Sequence, residues 1–347
     1  MVSKDFCLSS YMAFRYVWKN DVYFKEGFQH KNFQPLKDSE RVLVRTSEEI
    51  DMEIKKQFDE LYAKYDSIGI LLSGGMDSAN LAAYLKPGSH AYTFCSVSGV
   101  FDDDLQRAKQ YCNKWQLVHH LIEITMDDYE KYTPIVMHFK FSPVHSIEPQ
   151  IFKAAEIAKQ DGVQLMIVGE SADLIFGGMD KLISPQWFFD DFVRRYTFLD
   201  PSLVLEYPID QIELFEKYRV GESIDVMKFM DEVFAIESSG SYLNAFGAAL
   251  LPYYDPYAKL LMAEPLDMER VRAGEPKYLV RGLYAMKYPE REIPFKIPMP
   301  RPVDYVFKEW KGPQRKEFRK DIPMGKLTGN QKWQLWCAER FLQQFGF

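Results

Sequence analysis

Residues 70–85 read ILLSGGMDSANLAAYL: an apolar run, two glycines, an aspartate between polar neighbours, and then an amphipathic stretch. If Ile68 to Leu72 is a strand, Ser73, Gly74 and Gly75 form the turn that leads into a helix. Backbone N–H groups at such a helix start point outward with partial positive charge and suit an anion. Gly74 and Gly75 let that anion approach the backbone, and Ser73 and Ser78 add hydroxyl donors. GxxxxGK[ST] and GxGxxG are both absent, which disfavours a Walker-type kinase and a dinucleotide-binding dehydrogenase. Asp77 would repel a phosphate unless a cation stood between them, so its place in the loop points to Mg²⁺. The plain alternative is a Gly-Gly turn that only joins a strand to a helix.

Other candidate groups read more simply. His119 and His120 are adjacent, and neighbouring strand residues point to opposite faces, so one core and one surface histidine are expected. The four cysteines, Cys7, Cys95, Cys112 and Cys337, have no CxxC spacing and read as buried thiols, not as a zinc site or disulfide framework. A net charge of −7 argues against nucleic acid as a partner. The basic strip from Lys311 to Lys320 reads as a solvated face.

The elements that must position these residues follow from the patterning. The 347 residues, 47% hydrophobic and 27% charged, can build one large or two ordinary cores. No run reaches the roughly 18 apolar residues of a membrane span, and the N-terminus lacks a signal-peptide pattern, so a cytoplasmic location is expected. Up to about residue 185, apolar runs alternate with helical patterns: Ser67 to Leu72, Asp77 to Leu85, Ala91 to Val97, Asp102 to Trp115, Val118 to Ile124, a helix opened by Pro149, and Gln164 to Val168. That alternation predicts βαβ units around a parallel sheet covered on both faces. Thr46 and Glu49 have capping-box spacing, with Ile50, Ile54, Phe58 and Leu61 as the apolar stripe of the helix they would open. Beyond 185 the pattern turns mostly helical, as in Gln186 to Phe198, Ser223 to Ile236 and Gln331 to Gln344. The expected division is a hairpin- or linker-like segment (1–45), an α/β core (46–185) and a helical substrate-side region packed on it (186–347), the first turning at Lys19-Asn20-Asp21.

Ser73-Gly74-Gly75-Met76-Asp77-Ser78 resembles the SGGxDS pyrophosphate loop of the N-type ATP pyrophosphatases. VGESADLIFGG, Val168 to Gly178, is similar to the SGEGxDExFGG segment of the asparagine synthetase family and its relative β-lactam synthetase. The intervening stretch resembles that family's second strand, its Asp-x-x-x-Ala helix (Asp104, Ala108) and its His-His strand. LPYYDP, Leu251 to Pro256, and EPKYLVRGL, Glu275 to Leu283, are similar to its RxPFLD and EKxxLR segments. The chain is thus identified as similar to the synthetase half of that family, over roughly residues 45 to 300.

The resemblance implies a parallel doubly wound α/β sheet of the Rossmann-like, adenine nucleotide alpha hydrolase type. It also implies an AMP-forming carbon–nitrogen ligase that uses ATP and Mg²⁺: a carboxylate is adenylated with release of pyrophosphate, and ammonia or an amine then attacks to give an amide. By motif position, Ser73, Gly74, Gly75 and Ser78 supply donors to the pyrophosphate. Asp77 and Asp173 hold the metal, Lys277 neutralises the pyrophosphate and the tetrahedral adduct, and Glu170 positions or deprotonates the amine. Leu72 and Ser96 grip adenine through backbone atoms, with Gly169 beside the α-phosphate.

Departures from the family pattern cluster on the acyl and amine sides. Position 2 is valine, where the complete enzymes begin their glutaminase domain with a catalytic cysteine, and few residues precede the loop. No glutaminase domain is therefore expected, and nitrogen would come from solution, another amine or a separate glutaminase. Ala248 and Leu250 replace an acid and an arginine, and leucine cannot make an arginine's bidentate contact with a carboxylate. Aspartate then competes with a sugar acid, a peptide or another metabolite as the substrate. Leu174 and Met179 stand where the family has a second acid and a tyrosine. Trp187, Phe188, Phe189, Tyr253, Tyr254 and Tyr257 could wall a larger acyl group or simply fill the core. The reading from another class is a catalytically degenerate nucleotide-binding regulatory or scaffold protein; retention of Glu170, Asp173 and Lys277 weighs against it.

Overall fold

A computed structural model describes residues 1–95, 102–295, 299 and 301–347. Its centre is a parallel sheet built from β1 (Ile68–Leu71), β2 (His90–Cys95), β3 (Val118–Glu123) and β4 (Leu165–Ile167), in the order β3-β2-β1-β4. A fifth parallel strand, Tyr253–Tyr254, pairs with β4. The strands are short apolar runs because both faces are covered. Alternate residues divide between two cores: Ile68, Ile70, Leu72, Leu165 and Ile167 face one, and Leu71, Tyr92, Met166 and Val168 face the other. The doubly wound sheet expected from the alternating pattern is what the chain forms.

The first core is closed by α1 (Ser47–Tyr62), α2 (Met76–Ala82), α3 (Asp102–Trp115) and the later helix Tyr278–Lys287. Ile50, Ile54, Phe58 and Leu61 are all buried, as their spacing predicted. Thr46 Oγ1 accepts from Glu49 N at 3.2 Å, while Glu49 turns its carboxylate to Arg45 N instead of closing the box on Thr46. The second core takes α4 (Met126–Lys140), α5 (Glu148–Gln160) and the helices Ala235–Ala249 and Gly329–Gln344.

Successive strands run outward from β1 to β3, and β4 then returns to the far side of β1. The topological switch therefore lies between β1 and β4, where open α/β sheets bind ligands beyond the strand ends. The SGGMDS loop follows one of these strands and the VGESADL segment follows the other.

Three expectations need correction. No hairpin forms near Lys19-Asn20-Asp21; Lys4–Phe14 is a helix capped by Ser3, which accepts from Phe6 N. Every residue from Cys7 to Phe14 is buried, including Ser9 and Ser10, so the stretch is covered around its whole circumference and shows neither the period of a strand nor a surface stripe. Tyr11 donates to Val144 O at 2.8 Å, and Gln334 Nε2 donates to Tyr11 O at 2.7 Å, which fixes this helix in the second core. Ser223–Ile224 pairs with Arg219–Val220 and does not begin a helix, which starts at Val226. The region beyond residue 185 also returns to strand in LPYYDP and at Leu260–Met262, which pairs with Val42–Val44. Both pieces are too short for alternation to show. Among the described residues no helix is long and apolar enough to cross a membrane.

Because Tyr11 is fully buried, Tyr11→Ala should lower stability by about 3–5 kcal/mol, and Tyr11→Phe, which loses only the hydroxyl, by about 1. Urea denaturation of the two variants beside the parent measures both.

Candidate active site

The loop after β1 is held from both sides. Ser73 N donates to Ser78 Oγ at 3.0 Å, the two serine hydroxyls lie 3.0 Å apart, and Gly75 N donates to Ser73 Oγ at 3.1 Å. Ser73 is exposed and Gly75 half-buried, so an incoming anion meets the donors without displacing the core. Gly74 has a sterically forced identity: a Cβ there would sit 2.3 Å from Asp104 O. That close approach lets Arg107 Nε donate to Gly74 O at 3.0 Å while Arg107 Nη2 pairs with Asp104 at 3.0 Å. The first turn of α3 thereby fixes the loop.

Asp77 lies in the first turn of α2, and Asp173 in the single helical turn Ala172–Ile175 after β4. Between them sits Lys277 Nζ, 2.6 Å from Asp77 Oδ2 and 2.8 Å from Asp173 Oδ1. Lys277 is buried. Burial alone would push its ammonium pKa down, yet the two carboxylates more than offset this and hold it above the ordinary lysine value. Its backbone is left-handed, with φ of 55°, which costs a non-glycine residue energy and is characteristic of functional positions. Gly178 leaves room for the arrangement, since a Cβ there would lie 2.0 Å from Asp173 Oδ1 and 2.8 Å from Lys277 Cδ. A Cβ at Gly169 would lie 3.2 Å from Leu81 Cδ1, a milder crowding where the segment after β4 meets α2.

Glu170 faces the other way from this cation. Burial, reinforced by Asp173 and Asp255, pushes its carboxyl up to about 7, although hydrogen bonds from Ser238 and Tyr242 oppose the shift. Both partners come from the helix Ala235–Ala249. Asp255, raised to about 6 chiefly by burial, accepts from Ser171 N at 2.7 Å and Tyr257 N at 3.1 Å, and Tyr257 donates to Asp77 O at 3.1 Å. Behind Glu170 lies a second buried charged group. Arg15 pairs with Glu237 at 3.0 Å, and His145, held neutral chiefly by burial, lies 3.4 Å from Arg15 Nη1. Arg301, mostly buried and within electrostatic reach of Tyr242 and Glu237, donates to Asn330 and makes no ion pair among the described residues.

Of the residues singled out in the sequence, Ser73, Gly74, Gly75, Asp77, Ser78, Gly169, Glu170, Asp173 and Lys277 lie around the switch between β1 and β4. Leu72 lies there too, but its N–H already donates to Tyr92 O at 2.9 Å and its carbonyl accepts from Thr93 Oγ1 at 2.7 Å. An adenine contact would need that carbonyl's second lone pair. Ser96 lies outside the described residues. His119 and His120 do point apart, toward Thr93 Oγ1 and the Tyr92 ring, but both are half-buried instead of dividing into core and surface. Leu250 is 82% exposed, whereas Phe189 and Tyr257 are core residues. Sequence reasoning missed Arg301, Ser238, Tyr242 and the arginine of Asp104/Arg107. Only Arg107 had a signal, three residues beyond the quoted Asp104.

The fold and this constellation define a doubly wound α/β protein with a charged site at its switch point, and comparison with known proteins makes the class specific. The asparagine synthase family matches residues 59–245, more than half of the chain, and the chain belongs to that family of ATP-dependent ligases. The glutamine-hydrolyzing asparagine synthetase of Sandersonia aurantiaca is 29% identical over 175 residues, covering 46% of this chain and 31% of that protein. That of Asparagus officinalis is 29% identical with 28% of its length covered. The chain thus spans about a third of the length of the curated relatives it matches. Among solved structures, NMN synthetase from Francisella tularensis is similar at 14% identity and a TM-score of 0.30, over 74% of this chain and all of that one.

Lys277→Met removes the ammonium that Asp77 and Asp173 share. We expect a loss of about 3 kcal/mol at neutral pH. Added Mg²⁺ should raise the Tm of K277M more than that of the parent in thermal scans.

Proposed function

We propose that the chain is an AMP-forming amide ligase. ATP seated on the Ser73–Ser78 loop transfers AMP to a carboxylate, pyrophosphate departs, and ammonia or another amine attacks the acyl-adenylate. The observation that carries this reading is the meeting of Asp77, Asp173 and Lys277 beside the Ser73–Ser78 loop at the switch point.

Adenylation is needed because a free carboxylate would have to expel oxide, whereas its adenylate expels AMP. Charge builds first on the departing pyrophosphate, where N–H groups of Gly74 and Gly75, the serine hydroxyls and the Lys277 ammonium can stabilise it. The residues fit Mg²⁺: two carboxylates from separate segments already share one cation, the Lys277 ammonium, and offer hard oxygens to an ion that takes its other ligands from water and phosphate. Bound there, Mg²⁺ would supply Lewis-acid neutralisation of the phosphates, and Lys277 would turn from the carboxylates to the phosphate oxygens.

Glu170 then serves the second half-reaction. A carboxylate with a pKa of about 7 is poised to take a proton from an ammonium near neutral pH. Residues 46–185 together with Lys277 carry the ATP chemistry, and the rest of 186–347 shapes the acyl side. On that side Arg301, with Arg15 from the N-terminal segment, offers positive charge to a substrate carboxylate, in place of the exposed Leu250. The substrate is a carboxylic acid, whether aspartate, a sugar acid, a peptide or another metabolite, with nitrogen from ammonia, an amine or a separate glutaminase.

Mixing the protein with ATP, Mg²⁺, ammonium and a panel of carboxylic acids should release AMP and pyrophosphate in equal amounts with at least one acid. Absence of AMP with every acid, against tight ATP binding, would favour the nucleotide-binding scaffold reading. Glu170→Gln should retain acid-dependent pyrophosphate release but lower amide formation by about 10²–10⁴-fold. In the parent, amide formation should rise with pH through about 7. Because this carboxyl is raised on folding, its contribution to stability is present at low pH and lost as pH climbs through the same range, and E170Q should flatten that part of the profile.

A further inference from the structure

At the end of the sheet remote from the phosphate loop, a second group of ligating side chains comes together. His90 is the first residue of β2, and His120 is the third residue of β3, paired in register with Tyr92. The two histidines are therefore diagonal neighbours on one sheet face. His90 Nδ1 lies 2.9 Å from His120 Nε2, and the rings are nearly parallel, with centroids 4.9 Å apart. Asp161, the residue that ends α5, brings Oδ2 to 3.8 Å from His90 Nδ1 and 3.6 Å from His120 Nδ1. One ligand atom from each of the three lies within 4.8 Å of the others, the one such histidine, cysteine or acid cluster found among the described residues.

Two further observations point to a cation. A carboxylate at a helix C-terminus faces the negative end of the helix dipole, which disfavours it unless positive charge is nearby. The same carboxylate accepts from Tyr92 OH at 2.8 Å, an outer hydrogen bond of the kind that orients metal-binding carboxylates. Metal–nitrogen bonds of about 2.0–2.1 Å place two cis ligands roughly 3 Å apart, close to the separation already present between the imidazoles. Each side chain is about a quarter exposed, so water can reach the remaining coordination positions. Imidazole is a ligand of borderline ions and a poor one for Mg²⁺, which separates this site chemically from the Asp77–Asp173 pair.

We propose that His90, His120 and Asp161 bind a divalent transition-metal ion of the zinc type, with water completing its coordination. The ion ties the starts of β2 and β3 to the end of α5. The strands are parallel, and the phosphate loop follows the opposite end of the sheet, so this site acts on the scaffold and takes no part in the ATP chemistry.

The test is a titration of chelator-stripped protein with Zn²⁺ at pH 7.5, followed by calorimetry and by thermal unfolding. One equivalent should bind and raise the Tm. His120→Ala and Asp161→Asn should each weaken binding at least about tenfold and abolish the Tm rise, and Tyr92→Phe should weaken it less. Co²⁺ should give a visible spectrum free of a thiolate charge-transfer band, which tests the parent protein even if a variant misfolds. Absence of saturable binding, a thiolate band, or binding unchanged in both H120A and D161N would overturn the proposal. The readout is independent of ligase activity, so its failure would leave the active-site reading untouched.

Discussion

One buried ammonium between two carboxylates organises the functional end of this protein. Asp77 and Asp173 come from segments 96 positions apart in sequence and Lys277 from 104 further on, yet all three meet within hydrogen-bonding distance. Two acids facing each other repel, and a half-buried site does little to screen them. The Lys277 ammonium offsets that repulsion by pairing with both. The same geometry predisposes the site to a divalent ion and a polyphosphate, because each negative group that arrives gives the ammonium somewhere else to go. A left-handed backbone at Lys277 is the conformational cost of bringing the side chain in from the start of a helix.

Steric permission at three glycines makes that convergence possible. Gly74 lets α3 lie against the phosphate loop, Gly169 lets the segment after β4 lie against α2, and Gly178 leaves space where Asp173 and Lys277 meet. At Gly74 and Gly178 a methyl group would overlap a neighbour by about an ångström relative to ordinary contact, which densely packed surroundings absorb poorly. The glycines therefore set distances between charged groups as well as the path of the chain.

How much of this could be read from sequence depended on the range of the interactions. The central sheet was legible because apolar strands and capped, striped helices announce themselves locally: Thr46, Ile50, Ile54 and Phe58 carry their own periodicity. The residues around the phosphate loop were legible because their types and spacing are chemically unusual, and the resemblance supplied Asp173, Glu170 and Lys277. The helix Lys4–Phe14 was not legible, because an element buried on every side from Cys7 onward has no stripe to detect. Nor were Ser238, Tyr242 and Arg301, ordinary residue types whose meaning comes from packing behind Glu170. His90 and His120, thirty positions apart, became a pair only through strand register.

The two sides of the active site also differ in electrostatic construction. At the SGGMDS loop, acids and lysine balance one another beside a solvent-accessible turn. Around Glu237, the cations Arg15, Arg301 and Lys140 face Glu237 and Glu148, with His145 kept neutral by burial. Among the described residues, ion pairs join Arg15 to Glu237 and Lys140 to Glu148, and Arg301 donates to Asn330. Leu250 is turned to solvent on a left-handed helix cap. Arg15, Lys140, Glu148 and Glu237 belong to four different helices or their ends, so this charged group is assembled by packing across long sequence separations and by no local motif.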